Sequence, residues 1–395
     1  MKSLRPMAGY PLLRAVLDKP MRVMLPEHSP ECVKSHLIVP DHTPVAPIIR
    51  REFGLNPGSM EEPRWHEHIP DLRIHELSGV LLCNGALYSG AGGFFPESVR
   101  VFDQHNHIRR YYHYRDNCFL RRLGNGYYIP QRYDDDREAA LLECEEIVLP
   151  FFTMQAVYGH WLLEGLTCLW AWEHVRRLAG GRRPKLLLAP IREVPAYVKD
   201  FCLPFGITED DYLFPTSSCM RLHRLFLPTR AYMHMAYVSA MAKDIWKRIA
   251  AYYDTASSLD GLEKMYISRR RVKTRSLLNE SECEELFIRH GFHVIHPQEL
   301  SLADQMRLFA EARYIAGPVG SGMHNVVFSR HPGALKTLFL APRDFASLSA
   351  IAVIEQSYGR TANFVYGQER QKGGPNTWSL DVANLEEAVE QWLKE

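Results

Sequence analysis

Between Lys264 and Leu340 short apolar runs alternate with stretches in which apolar residues recur every three or four positions, the pattern of buried strands separated by amphipathic helices. It predicts strands at Lys264–Ser268, Phe292–Ile295, Tyr314–Ala316 and Leu335–Leu340, with helices at Ser281–His290, Ser301–Ala312 and Gly322–Ser329. The same rhythm appears earlier, as a helix at about Tyr158–Leu178, a strand at Lys185–Ala189, a helix at about Val194–Leu203 and strand-like runs at Tyr212–Phe214 and Leu225–Leu227. Strands joined through helices make parallel crossovers, so each stretch is expected to form its own α/β layer structure.

The remaining segments read differently. Residues 1–70 are rich in proline and are expected to form a loosely attached arm. From Arg73 to Leu149 the runs are short and β-like (Val80–Leu82, Ser98–Phe102, Glu146–Leu149), punctuated by glycines. Val238, Met241, Ile245 and Ile249 recur at helical spacing and predict a connecting helix over about Ala236–Tyr253, followed by a hinge at Ser257–Gly261. An amphipathic stretch at Leu385–Leu393 is expected to pack back onto the N-terminal domain. The expected partition is an arm at 1–70, a Rossmann-like α/β domain at 71–235, a connector at 236–262, a second Rossmann-like domain at 263–366 and a returning tail at 367–395.

Composition narrows the function classes. With 47 basic and 46 acidic residues the formal net charge is +1, so no global field recruits nucleic acid or anionic lipid, and any anion site must be a local cluster. The 395 residues, 46% hydrophobic, suffice for two cores. Prolines and charges break the N-terminal stretch, leaving no signal-like or membrane-spanning run, and a cytoplasmic enzyme, free or peripheral at the inner membrane face, is the expectation. The eight cysteines include no C-x-x-C pair, which fits reduced thiols better than disulfides or a zinc site.

Three clusters offer chemistry. Behind the strand Lys264–Ser268 come Arg269, Arg270, Arg271, Lys273 and Arg275, cations at the carboxyl edge of a parallel sheet, where such sheets bind ligands. Alternation along an extended chain puts Arg269 and Arg271 on one side, with Arg270 opposite, and arginine's fork suits paired phosphate oxygens. A solvated loop would carry the same charges. Behind Tyr314–Ala316 come Gly317, Gly320, Ser321, Gly322, Met323, His324 and Asn325, a glycine turn that allows close backbone approach and aims helix N–H groups at an anion. It matches neither G-x-G-x-x-G, nor the P-loop, nor the G-x-S-x-G elbow, which weighs against nicotinamide, P-loop and serine-hydrolase chemistry.

The third cluster is His160 and Glu164, which share one helix face one turn apart, a spacing at which a carboxylate can orient an imidazole base. Either member could be the base, and a backbone-satisfied histidine beside a surface glutamate would share that spacing. Asn279 and Glu282 form the pattern of a capping box. Asp134–Asp136 contains a D-x-D but precedes a helix-like Arg137–Leu141 and is explained by the helix dipole. The sets His66/His68, His105/His107 and His290/His293/His296 lack coherent ligand spacing, and no metal site is expected.

In order along the chain these residues resemble glycosyltransferase family 61. Gly159–Glu164 resembles its H-W-L-x-[DE] element, Tyr266–Arg269 its Y-I-S-R, Arg275 with Asn279–Glu280 its R-x-x-x-N-E, and Gly291–Phe292 with Pro297–Ser301 its G-F and P-E-x-L-S segments. Gln305 and the glycine motif Gly317–Phe328 follow in register. The resemblance implies an α/β, GT-B-like fold, two Rossmann-like domains facing across a cleft. It also implies an inverting, metal-independent transferase with no cofactor beyond a nucleotide-sugar co-substrate, a UDP-sugar among the candidates. The acceptor would be a glycan or lipid-linked intermediate of capsule-type polysaccharide synthesis, as in bacterial members. His160 and Glu164 would serve acid–base chemistry, and Ser268, Arg269, Arg271, Lys273, Gln305, Gly317, Gly320, Ser321, Gly322, Met323, His324 and Asn325 would hold the donor. Many relatives carry histidine where this chain has Val319, so that role is either absent or moved to His324. The same fold could also recognise a nucleotide sugar or glycan without turning it over.

Overall fold

A computed structural model describes residues 6–7, 21–54, 67–83, 86–98, 120–124, 127–130, 141–151, 157–188, 194–215, 219–234, 236–254, 259–272, 274–343, 348–369 and 377–395. The chain divides into two compact units, Met1–Val45 with Trp65–His234 and Ala240–Ile245, and Ala46–Arg64 with Met235–Ser239 and Trp246–Glu395.

In the first unit the strands Tyr212–Leu213, Lys185–Leu187, Leu141–Pro150 and Cys219–Pro228 lie side by side in that order, all parallel. The first of these strands in sequence, Leu141–Pro150, therefore has its successors on one side and the last strand on the other. That change of direction is a topological switch point, where the loops leaving the two neighbouring strands part and open a crevice. Beyond Cys219–Pro228 the sheet turns antiparallel through Val80–Cys83 and Ala86–Ser89, with Leu72–Leu77 and Cys32–Val39 attached. The core is built from Leu77, Val80, Leu82, Val148, Leu187, Leu222 and Leu225.

The second unit is more regular. Its strands run His293–Ile295, Lys264–Ile267, Tyr314–Pro318, Lys336–Pro342 and Ala362–Glu369, all parallel, and Arg50–Gly54 adds a further parallel strand. In chain order the five principal strands stand 2-1-3-4-5, which puts a switch point between Lys264–Ile267 and Tyr314–Pro318. The helices Glu280–Arg289, Leu302–Glu311 and Leu348–Ser357 connect them, together with a 3₁₀ helix at Ser321–Phe328. Fully buried Glu355 holds the third of those helices to the sheet, accepting from Thr337 Oγ1 at 2.7 Å and from the Arg360 guanidinium at 2.7 and 2.8 Å.

Most strand and helix expectations in both α/β stretches fall within a few residues of the observed elements, but several segments need correction. The N-terminal arm does not stand apart: Cys32–Val39 pairs in the first sheet and Arg50–Gly54 in the second, because their backbone groups complete strand edges. The C-terminal helix Val382–Lys394 packs in the second unit, not on the first, since its stripe Leu385, Ala388, Val389 and Trp392 enters the core of Phe287 and Phe292. Tyr237–Val238 is extended and the connecting helix starts at Ala240. Ser98 ends a 3₁₀ turn and its hydroxyl donates to the Phe95 carbonyl at 2.7 Å, so no strand starts there. Leu141 opens a strand, not the end of a helix. The helix Leu348–Ser357 and strand Ala362–Glu369 were not anticipated; the helix is apolar nearly all round and so has no periodicity to read. Asp134–Asp136, Arg137–Ala140, Val99–Phe102, His66, His105, His107, Ser257 and Ser258 lie outside the described residues.

Candidate functional site

At the switch point of the second sheet two loops leave adjacent strands. The first follows Ile267. Ser268 is buried and its hydroxyl donates to Glu284 at 2.6 Å, while the Arg269 backbone N–H donates to Glu280 at 2.6 Å. Both carboxylates come from one face of the helix Glu280–Arg289, four residues apart. Burial, ahead of the neighbouring Glu284 charge, pushes the Glu280 carboxyl up to about 7.

Here the expected capping box does not form. The Asn279 side chain instead donates to the Leu380 carbonyl at 2.9 Å and accepts from the Leu380 N–H at 3.1 Å, and Glu280 turns to the Arg269 loop.

The second loop follows Pro318 and contains Gly320. A Cβ at Gly320 would collide with the Arg269 guanidinium, so glycine is what lets that cation lie against the turn backbone. Arg269 donates one guanidinium N–H to the Thr274 carbonyl at 2.9 Å, whereas its Nε is buried with no hydrogen-bond partner among the described residues. Burial and then the charge of Arg275 push the Arg269 pKa down to about 10, which leaves it cationic at neutral pH. Arg275 has φ 56°, the left-handed region that non-glycine residues occupy at a cost of about 1–3 kcal/mol. The charge of Arg275 thus acts on a guanidinium in a partly dry corner, from a strained backbone position.

The remaining residues of the predicted donor set fall into distinct groups. Arg271 pairs with Glu299 and Arg270 with Glu284, both half exposed. The strand ends at Ile267 and the Val272 N–H closes a turn onto the Arg269 carbonyl at 2.7 Å, so strand alternation does not continue and Arg269 and Arg271 part company. Gly317 is required for sheet packing, because a Cβ there would lie 2.6 Å from the Ile267 carbonyl. The expected α-helix after the glycines is a 3₁₀ helix whose first bond runs from Met323 N–H to the Gly320 carbonyl, so the Ser321 and Gly322 N–H groups precede the bonded ladder. The Met323 side chain is buried in the core, and Asn325 donates to Gln305 at 3.1 Å, joining two helices. His324 is half buried on the same 3₁₀ helix. Lys273 lies outside the described residues.

The switch point of the first sheet carries the other chemistry. The helix leaving the carboxyl side of Leu141–Pro150 begins at Tyr158 and changes pitch along its length: an α turn to His160, a π turn over Trp161–Gly165, a 3₁₀ stretch over Leu166–Ala171 and an α-helix to Leu178. π turns recur at functional sites because the extra residue re-aims side chains. Gly165 accommodates this one, since a Cβ there would press on the Trp161 ring at 3.2 Å. Within it Glu164 Oε2 stands 3.5 Å from His160 Nδ1.

A third residue joins them. His234 follows the carboxyl end of Cys219–Pro228, the strand across the switch point, and its Nδ1 lies 3.7 Å from Glu164 Oε1. Sequence reasoning missed it. The signal was available, because the strand at Leu225–Leu227 was expected and a histidine stands just beyond its carboxyl end, as Arg269 does beyond its own strand.

Residues 158–335 match the family model described as Glycosyltransferase 61. Over this stretch the chain is similar to that family. The match begins at the helix that carries His160 and ends just before the strand Lys336–Pro342, so both clusters fall within it. The match to glycosyltransferase 61 implies glycosyltransferase activity, with donor and acceptor substrates. No curated protein matches the chain. Among the described residues no group of three or more His, Cys, Asp or Glu side chains is arranged to hold a metal ion, and no helix is long and apolar enough to cross a membrane.

Proposed function

We propose that the protein is an inverting, GT-B-like glycosyltransferase that moves a sugar from a nucleotide-sugar donor, a UDP-sugar foremost, to a hydroxyl of a glycan or lipid-linked acceptor in surface polysaccharide synthesis. The observation that carries the reading is Arg269. It is a half-buried cation whose buried Nε has no hydrogen-bond partner among the described residues, laid against Gly320 at the switch point of a parallel sheet. A nucleoside diphosphate leaving group suits that corner, since it offers two negative phosphates to a guanidinium fork and to the first N–H groups of the following helix. Arg269, with Arg275 beside it, meets the charge that develops as the glycosidic bond breaks. His160, oriented by Glu164, takes the proton of the acceptor hydroxyl. One displacement at the anomeric carbon inverts its configuration. The guanidiniums take the part of a divalent cation at the leaving group, so the reaction runs without a metal, and the nucleotide sugar is the only co-substrate.

The test is a panel of nucleotide sugars screened for thermal stabilisation, followed by transfer from the donor that binds and determination of the product's anomeric configuration by NMR. A donor at about 100 times its dissociation constant adds about 2.7 kcal/mol. Stabilisation by one nucleotide sugar and an inverted product are expected. A panel without a binder, or a product that retains configuration, contradicts the proposal.

A further inference from the structure

Two cysteines of the first unit face each other across one ladder. Cys83 ends the strand Val80–Cys83 and Cys219 opens the strand Cys219–Pro228, and the two strands run antiparallel with Cys83 directly opposite Cys219. Alternation sorts the side chains to two faces: Leu81, Cys83, Tyr88 and Cys219 share one buried cluster, whereas Val80, Leu82 and Met220 belong to another. Both thiols therefore lie on the same face of the sheet. None of the seven described cysteines is in a disulfide, and among them no other two are opposite each other in a ladder.

Residues directly opposite in an antiparallel pair have Cα atoms about 4.5 or 5.5 Å apart, and both values lie within the roughly 4.4–6.8 Å that a disulfide spans. Their Cβ atoms, about 4.5–5.5 Å apart, need to approach by no more than about 1 Å. Because Cys83 is the last residue of its strand and Cys219 the first of its own, the adjustment falls at the end of the ladder. The neighbouring Cys219 thiol, ahead of burial, pushes the Cys83 thiol up, which keeps its thiolate scarce and its exchange slow. Cys219 is the more open of the two, 7% exposed against 2%.

We propose that Cys83 and Cys219 are a dithiol built into the first sheet, which a low-molecular-weight disulfide oxidises to a cross-strand disulfide within the native fold. The Cys219 thiolate attacks one sulfur of the reagent, forms a mixed disulfide and expels one thiolate. The Cys83 thiolate then attacks the Cys219 sulfur and expels the second. The reagent gains two electrons and leaves as two thiols, which carry the two protons of the cysteines. The new bond closes residues 83–219 into a loop that holds three of the four parallel strands and the helix bearing His160, and so latches the antiparallel extension to the parallel core. The proposal does not depend on the reading of either switch point.

The experiment incubates the full-length protein, folded and fully reduced, with oxidised glutathione, then unfolds it, caps the remaining thiols with N-ethylmaleimide and maps the peptides without reduction. One peptide pair joining Cys83 to Cys219 is expected, and reduction before capping leaves all eight cysteines capped. Cys83→Ser removes the second attacking thiol and is expected to retain glutathione on Cys219. The linked wild type is expected to melt at least as high as the reduced protein, because a link that fits the ladder takes freedom only from the unfolded chain. A map without the Cys83–Cys219 pair, a pair formed only when the reagent is added in denaturant, or a linked protein that melts lower than the reduced one overturns the proposal. Cys83→Ser without glutathione on Cys219 overturns the order of attack.

Discussion

The two sheets place their chemistry by one rule and carry opposite kinds. In each, the polar cluster lies where the strand order reverses, between the loops leaving the first strand and its neighbour across the reversal. The second sheet builds a cationic corner from regular parts, strand ends and a glycine turn, in which Arg275 is the one strained residue among those described. The first sheet builds a histidine–carboxylate cluster on a helix that changes pitch three times within about twenty residues. The difference teaches that binding a diphosphate needs backbone approach and fixed positive charge, which a regular α/β edge supplies. Handling a proton needs side chains aimed at one another, for which regularity is given up.

The strongest way to break this comparison is to remove the base. His160→Ala should reduce transfer by about 10²- to 10⁴-fold while nucleoside diphosphate binding stays near wild type, because His160, the proposed base, and Arg269, the proposed diphosphate ligand, belong to different units. Loss of both in a folded variant would show that the division is wrong.

Glu280 sharpens it next. Its folded pKa of about 7 lies above the ordinary 4.5, so the folded state keeps a proton that the unfolded chain releases, and the stability this contributes is lost as pH rises from about 4.5 through about 7. Glu280→Gln keeps an oxygen to accept the Arg269 N–H and has no charge to desolvate. In denaturant unfolding it should gain on the wild type by up to about 3 kcal/mol between pH 5 and 8. A difference that does not vary with pH would mean that the carboxyl is not held in this way.

The smallest effect belongs to Arg271. Half exposed and paired with Glu299, it should contribute no more than about 1 kcal/mol to diphosphate affinity, so Arg271→Ala changes the dissociation constant less than tenfold in titration calorimetry. An effect as large as that of Arg269 would put the anion over the whole basic run instead of the switch point.

Much of this was legible in the sequence, for physical reasons that differ from place to place. Strands and helices of the second unit have clear periods and strong stops, so Lys264–Ile267, Leu302–Glu311 with its Ser301 cap, and Tyr314–Pro318 could be read almost to the residue. His160 and Glu164 announced themselves by spacing on one helix. His234 did not, since its partner is some seventy residues away in sequence and only the sheet order joins them. The basic run was visible, but not which of its cations turns inward: Arg269 is distinguished by Gly320, more than fifty residues on, and by the turn that takes Arg270 and Arg271 to Glu284 and Glu299. The same long-range economy hid the role of Asn279, whose local pattern is a cap and whose contact is Leu380.

Titration calorimetry of nucleoside diphosphates into the wild type and Arg269→Ala tests the central claim most directly. The account predicts that at least one diphosphate, UDP foremost, binds the wild type and that the alanine variant binds it about 1.5 to 3 kcal/mol more weakly, the range for hydrogen bonds to charged groups. Equal affinity in the two proteins, or no binding of any nucleoside diphosphate to the wild type, would contradict it.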